Sequence, residues 1–211
     1  MDNNIKLYND DCMNIMPDYP DNYFELAIVD PPYQIAGLTD KNRGGGGKLK
    51  NRILNKNAKK FAKWDKQPDK EYFNQLFRVS KNQIIWGGNY FDLPTYRCVI
   101  AWDKCQPFPN FSAVEIAWTS FNKPASLFKF DNRTGNKIHP TQKPTDLYKW
   151  LLEKYAKPTD KILDTHLGSG SSAIASYYFG TQEFIGIEID KEYFDMAKAR
   201  IERETMQYKL I

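Results

Sequence analysis

Short, wholly apolar runs alternate along the chain with longer stretches in which apolar residues return every three or four positions. Phe24 to Val29, Gln83 to Trp86, Cys98 to Trp102, Val114 to Trp118, Lys161 to Leu163 and Phe184 to Ile189 read as strands buried on both faces. Between some of them the period becomes helical. Tyr72, Phe73, Leu76 and Phe77 share a face, as do Leu147, Tyr148, Leu151, Leu152 and Tyr155, and then Phe194, Ala197 and Ile201. Buried strands alternating with amphipathic helices predict an α/β fold with a doubly wound, mostly parallel sheet. No internal repeat and no Pro/Ser-rich linker interrupts the pattern, and 211 residues with 41% hydrophobic content suit a single domain over 1–211.

From Gln34 to Trp64 neither period persists, and Gly44 to Gly47 break the stretch, which predicts a long mobile loop over about 34–64. Charge collects in the same place. Nine basic residues (Lys41, Arg43, Lys48, Lys50, Arg52, Lys56, Lys59, Lys60, Lys63) face one acid, Asp40, so the segment is net +8 within a chain of net +4 and the remainder is net −4. An acidic body carrying one basic segment suits a polyanion partner, whose phosphates Lys and Arg neutralise. The plainer reading is a solvated loop.

Three irregularly spaced cysteines, Cys12, Cys98 and Cys105, read as free thiols, and with only two histidines no metal site is expected. No apolar run approaches the roughly 18 residues of a membrane span, and Met1-Asp2-Asn3-Asn4 lacks the start of a secretion signal, so a cytoplasmic protein is expected.

Two sites carry candidate chemistry. Asp30-Pro31-Pro32-Tyr33 follows the buried run Leu26 to Val29, and ligands bind at the carboxyl ends of parallel strands. Two prolines stop the strand and remove two backbone donors, leaving a rigid cluster of acceptors beside an aromatic ring. Such a cluster suits the exocyclic amine of adenine or cytosine. A carboxylate and a prolyl carbonyl that accept from its two N–H groups would aim the lone pair at an electrophile, with Tyr33 stacking on the base. The bland alternative is a strand-ending turn. The second site, Ile162 to Ser172, is a strand entering the turn Gly168-Ser169-Gly170 and then a helical stretch, where an anionic group could meet a helix N-terminus. Glu188 closes the next apolar run and could accept from ribose hydroxyls. An NAD site uses the same logic, although the third glycine of its fuller pattern is Ala173 here.

Taken together, Asp30-Pro31-Pro32-Tyr33, Ile138-His139-Pro140-Thr141-Gln142-Lys143-Pro144, Asp164 through Gly170 and Glu188 resemble the β-class DNA amino-methyltransferases, in that family's permuted order. Leu7-Tyr8-Asn9-Asp10-Asp11-Cys12 and Trp86-Gly87-Gly88-Asn89-Tyr90-Phe91 join the match. The resemblance implies a Rossmann-like methyltransferase sheet, with a catalytic half over about 1–137 and a cofactor-binding half over about 138–211. It implies S-adenosylmethionine as cofactor. Asp11 and Cys12 would meet its adenine, Glu188 its ribose, and Lys143 with Gly168, Ser169 and Gly170 its methionine end, while Asp164, His166 and Asp30 would also border it. The implied reaction is methyl transfer to a base flipped out of DNA, and Asp at the first motif position leans it towards adenine N6.

Two departures stand out. Asp164-Thr165-His166 replaces the family's usual Asp-Pro-Phe, so an imidazole takes the place of the aromatic ring. The stretch from Phe121 to Lys137 is only seventeen residues long, where many relatives insert a target-recognition region. Recognition would then fall to the basic loop or a partner, and a homodimer is among the assemblies the resemblance allows. Cytosine-N4 or RNA methylation, a non-catalytic nucleic-acid-binding subunit and an NAD enzyme remain the alternatives. His139 also reads as a packed turn residue, and Trp86, Trp102 and Trp118 as core.

Overall fold

Each strong apolar run becomes a strand of one sheet in the computed structural model, which describes residues 4–34, 66–106, 112–131, 137–139 and 141–206. In chain order the elements are β1 (Ile5–Tyr8), α1 (Cys12–Ile15), β2 (Phe24–Val29), α2 (Lys70–Val79), β3 (Ser80–Trp86), β4 (Val99–Asp103), β5 (Val114–Thr119), β6 (Ser126–Lys129), α3 (Thr145–Tyr155), β7 (Lys161–Asp164), α4 (Ser171–Phe179), β8 (Glu183–Ile187) and α5 (Lys191–Met206). The eight strands lie in the order β1-β8-β7-β2-β3-β5-β4-β6. Among the described residues only β5 runs against its neighbours, and every other pairing is parallel. The expected mostly parallel, doubly wound sheet is therefore the observed one.

Alternation along the strands builds two apolar layers. Leu26, Ile28, Ile84, Trp86, Ile162 and Phe184 face α3, α4 and α5, whereas Ala27, Val29, Ile85, Leu163 and Ile185 face α1 and α2. Local signals set the helix ends. Asp69 caps α2 by accepting from the Tyr72 N–H at 3.1 Å, and the Asp190 carboxylate accepts from the N–H groups of Glu192 and Tyr193 at the start of α5.

The structure differs from the sequence expectation in several places. β1 and β6 form although neither stretch reads as an apolar run; they are the two edge strands, which bury little. β8 stops at Ile187, leaving Ile189 63% exposed. β5 is not buried on both faces. Ile116, Ala101 and Leu127 lie side by side in register across β5, β4 and β6, on the face that carries α1 and α2 but beyond the span of those helices, and Ile116 and Leu127 are exposed. On α5 the buried aromatic is Tyr193 rather than Phe194, whose ring is only partly covered. Trp86 and Trp102 are fully buried core residues and Trp118 nearly so. The expected basic loop, beyond Gln34, lies outside the described residues, as does Pro140. Among the described residues no helix is long and apolar enough to cross a membrane.

The two faces of the β5-β4-β6 half predict opposite mutational costs. Leu151→Ala, on the covered side, is expected to lower stability by about 2–5 kcal/mol in urea unfolding. Leu127→Ala, on the open side, should stay within about 0.5 kcal/mol of wild type. Equal losses at both positions would contradict the described layering.

Candidate active site

Because the strands of the central half run parallel, their carboxyl ends share one edge, and each releases polar residues there. Asp11 and Cys12 follow β1, Asp30 follows β2, the turn from Thr165 to Gly170 follows β7, and Glu188 follows β8. A cavity of about 370 Å³ opens at this edge, lined among others by Asp11, Cys12, Asp30, Pro32, Tyr72, Lys143, His166, Gly168, Ser169 and Glu188. Its size is within the range of small-molecule sites, roughly 300–1,000 Å³. Asp164, Gly170, Pro31 and Tyr33 do not line the cavity; they shape its walls from behind.

The Asp30 carboxylate is held from two sides. Tyr33 donates its hydroxyl to Oδ1 and the Lys143 ammonium donates to Oδ2. Burial alone would strip the charge from Lys143, but the Asp30 and Glu115 carboxylates more than offset it and raise its pKa. The ring of Tyr33 stacks on Tyr90, with centroids 5.0 Å apart and planes 17° apart. It also lies flat on Gly87, where a Cβ would sit 2.2 Å from the ring and where φ is +68°. Only glycine fits both the backbone and the space there. In this arrangement Tyr33 aims Asp30, and the 46%-exposed Tyr90 is the aromatic that faces outward.

The turn after β7 is tied down by its own side chains. Asp164 accepts from the His166 N–H at 3.0 Å and the Ser172 hydroxyl at 2.5 Å, and burial pushes its pKa up to about 7. The Glu188 carboxylate accepts from the Gly168 N–H at 2.9 Å and the Asp190 N–H at 3.0 Å, which leaves further lone pairs for hydroxyl donors. Gly170 has φ +77°, and a Cβ there would come within 2.8 Å of Ile201. From below, the buried Arg200 donates to the Ser169 carbonyl at 3.0 Å and the Ser171 hydroxyl at 2.9 Å, and Ser171 donates in turn to the Lys143 carbonyl at 2.8 Å. The N-terminus of α4 has no side-chain cap, so its free N–H groups can receive an anion.

His166 keeps a neutral imidazole, since burial lowers its pKa to about 4. Its Nδ1 lies 2.9 Å from the Thr165 hydroxyl, which lies 2.7 Å from the Tyr72 hydroxyl, and the Tyr72 ring meets the imidazole edge-on. Asp11 caps α1 by accepting from the Met13 N–H at 2.9 Å. Burial pushes the Cys12 thiol up to about 12, so it lines the wall as an unreactive group. His139 is a packed turn residue, its ring 4.4 Å from that of Tyr193 and against Gly168. Among the described residues no group of three metal-ligating side chains is present.

The residues expected from sequence are thus gathered at one edge. The sequence assigns no site role to Tyr72, Thr165, Glu115, Tyr90 or Arg200; Glu115, an acid inside the apolar run Val114 to Trp118, carries a readable signal.

The family described as DNA methylase, covering N6 and N4 amino-methylation, matches residues 49–199. The type II methyltransferase M2.MboI of Moraxella bovis is 26% identical over 94% of this chain and 88% of its own length. M.BglII of Bacillus subtilis is 24% identical over 91% of this chain and 67% of its own length. Among solved structures, the M1.HpyAVI–SAM complex is similar with a TM-score of 0.60 and 22% identity, covering 93% of this chain and 99% of that one. The cytosine-N4-specific PvuII DNA methyltransferase is similar with a TM-score of 0.62 and 15% identity, covering 98% and 92%. At these identities the structural likeness speaks for the fold.

The buried Asp164 generates a pH prediction. Its folded pKa of about 7 lies above the ordinary 3.8, so its stabilisation is present in full below about pH 4 and is lost as pH rises through about 7. Urea unfolding across this range should therefore find Asp164→Asn gaining on wild type as pH rises, with the difference levelling off above about pH 7. A difference independent of pH would mean that folding leaves the Asp164 pKa unshifted.

Proposed function

The chain belongs to the N6/N4 DNA methylase family, and from that premise we propose that it methylates the N6 amine of adenine flipped out of DNA. The observation that carries this reading is the Asp30 carboxylate. It sits at the end of β2 on the wall of the same cavity that collects Lys143, Gly168 and Glu188.

S-adenosylmethionine is the methyl donor, and when bound it supplies a methyl group activated by a sulfonium. The donor set suits it. Glu188 has lone pairs for the two ribose hydroxyls, the uncapped N-terminus of α4 suits the carboxylate, the Lys143 ammonium being engaged by Asp30 and Glu115, and Cys12, Tyr72 and His166 offer an apolar wall for a purine. Asp11 borders the same wall. Asp164 acts one step back, through the turn it ties.

The chemistry asked of the protein is to make a poor nucleophile attack. The amine's lone pair is delocalised into the ring. Asp30 and a prolyl carbonyl of the Pro31-Pro32 turn accept from its N–H groups, favour a pyramidal nitrogen and aim the lone pair across the cavity. Asp30 is also placed to take the proton that the nitrogen sheds as its new N–C bond forms. Pro31 and Pro32 keep the turn stiff, which limits reorganisation at the moment of reaction. Asp at this motif position supports adenine over cytosine through the resemblance; cytosine N4 is the competing product, favoured by the likeness to a cytosine-N4 enzyme. The catalytic half of about 1–137 and the cofactor half of about 138–211 form one domain in this reading, the basic segment from 34 to 64 binds the phosphates, and a second copy could share recognition.

Incubation with methyl-labelled S-adenosylmethionine and unmethylated DNA should yield N6-methyladenine by nucleoside mass spectrometry. N4-methylcytosine alone, or label only in RNA, would overturn the substrate assignment. Asp30→Ala is expected to retain cofactor binding in calorimetry while turnover falls by about 10²-fold or more. Unchanged turnover would overturn the role of Asp30.

A further inference from the structure

Asp30 and Lys143 belong to a longer string of charge. Lys104 follows β4, and Glu115 is the second residue of β5, the one strand that runs backwards and so begins at the edge where the others end. The reversal brings four charges together. Lys104 pairs with Glu115 Oε1, the Lys143 ammonium lies 3.2 Å from Glu115 Oε2, and Lys143 also pairs with Asp30. The groups that face Lys143 are Asp30 from the β2 turn, Glu115 from β5 and the Trp86 ring from β3 with its centroid 5.2 Å away, while Tyr33 and the buried Tyr148 of α3 act on the two carboxylates. Two cations meet two anions, so the string is neutral. The Lys143 side chain is only 3% exposed, so no water shell substitutes for a missing partner.

We propose that Glu115 is a positioning residue for the methyl-transfer site, holding the Lys143 ammonium against Asp30 so that the carboxylate stays aimed at the target amine. This rests on the amino-methyltransferase reading above. Without Glu115 one of the two carboxylates that outweigh the burial of Lys143 is gone. The ammonium then loses its proton at lower pH, and a neutral amine no longer fixes Asp30.

Glu115→Gln tests this with two readouts. In protein carrying ¹³C-labelled lysine, with Lys143 assigned by its loss in Lys143→Arg, the titration of the Lys143 Cε resonance should move down by about one unit or more in the Gln variant. In methyl-transfer assays kcat should fall by about tenfold, cofactor Kd should stay within about threefold, and the alkaline limb of the kcat profile should shift to lower pH. Glu115→Asp should restore part of both effects, and it supplies the same titration if the Gln variant does not fold. An unmoved Lys143 titration, or a loss confined to cofactor affinity, overturns the proposal. If wild type transfers methyl to no nucleic acid, the methyltransferase reading fails, and the titration still decides whether Glu115 holds Lys143 charged.

Discussion

The buried ion pair between Lys143 and Asp30 is the contact on which the site depends. It joins residues 113 positions apart, one from each half of the chain. Placing an ammonium and a carboxylate away from water costs several kcal/mol per ion, which the pair recovers only with good geometry and further partners. Those partners are present. Tyr33 satisfies the other Asp30 oxygen, and Glu115 gives Lys143 a second carboxylate, itself balanced by Lys104. Lys143 is the fully buried member, and removing either carboxylate beside it would leave its ammonium short of a partner, so the four groups stand as a unit.

Parallel topology explains why the unit forms at this edge. β1, β8, β7 and β2 all end there, which places Asp11, Glu188, the glycine turn and Asp30 around one cavity although they come from opposite ends of the sequence. The reversal of β5 adds what a purely parallel sheet would not: a strand start, and therefore Glu115, among strand ends. Below the cavity, Arg200 and Ser171 link the glycine turn to the Lys143 backbone. The glycine turn and the group that holds Asp30 are thereby parts of one hydrogen-bonded frame in a chain that belongs to the DNA methylase family.

Much of this was legible in the sequence, and for identifiable reasons. Phe24 to Val29 and Phe184 to Ile187 declare themselves because both faces are covered, and Asp-Pro-Pro-Tyr, Lys143, the glycine turn and Glu188 because their order is specific. What escaped depends on pairing across the sheet. β1 and β6 are edge strands with weak apolar signals, and the exposure of Ile116 follows from which strands lack helices above them. Tyr72 and Arg200 act through contacts of 93 and 31 residues in sequence separation, with Thr165 and Ser169, which no local pattern encodes, while Glu115 shows locally only as an acid in an apolar run, its partner Lys143 lying 28 residues on. Tyr33 was expected to lie on the target base; its ring instead stacks on Tyr90 and its hydroxyl holds Asp30, because Gly87 leaves room for it there.

A double-mutant cycle on folding stability tests the central pairing without relying on activity. Urea unfolding of wild type, Asp30→Asn, Lys143→Met and the double variant yields the coupling between the two groups. The account predicts that the double variant loses less than the sum of the single losses by at least about 1 kcal/mol, because each single change leaves a buried or part-buried partner unpaired. Losses that add within about 0.5 kcal/mol would mean that Asp30 and Lys143 are independent and that the frame described above does not bind the two halves together.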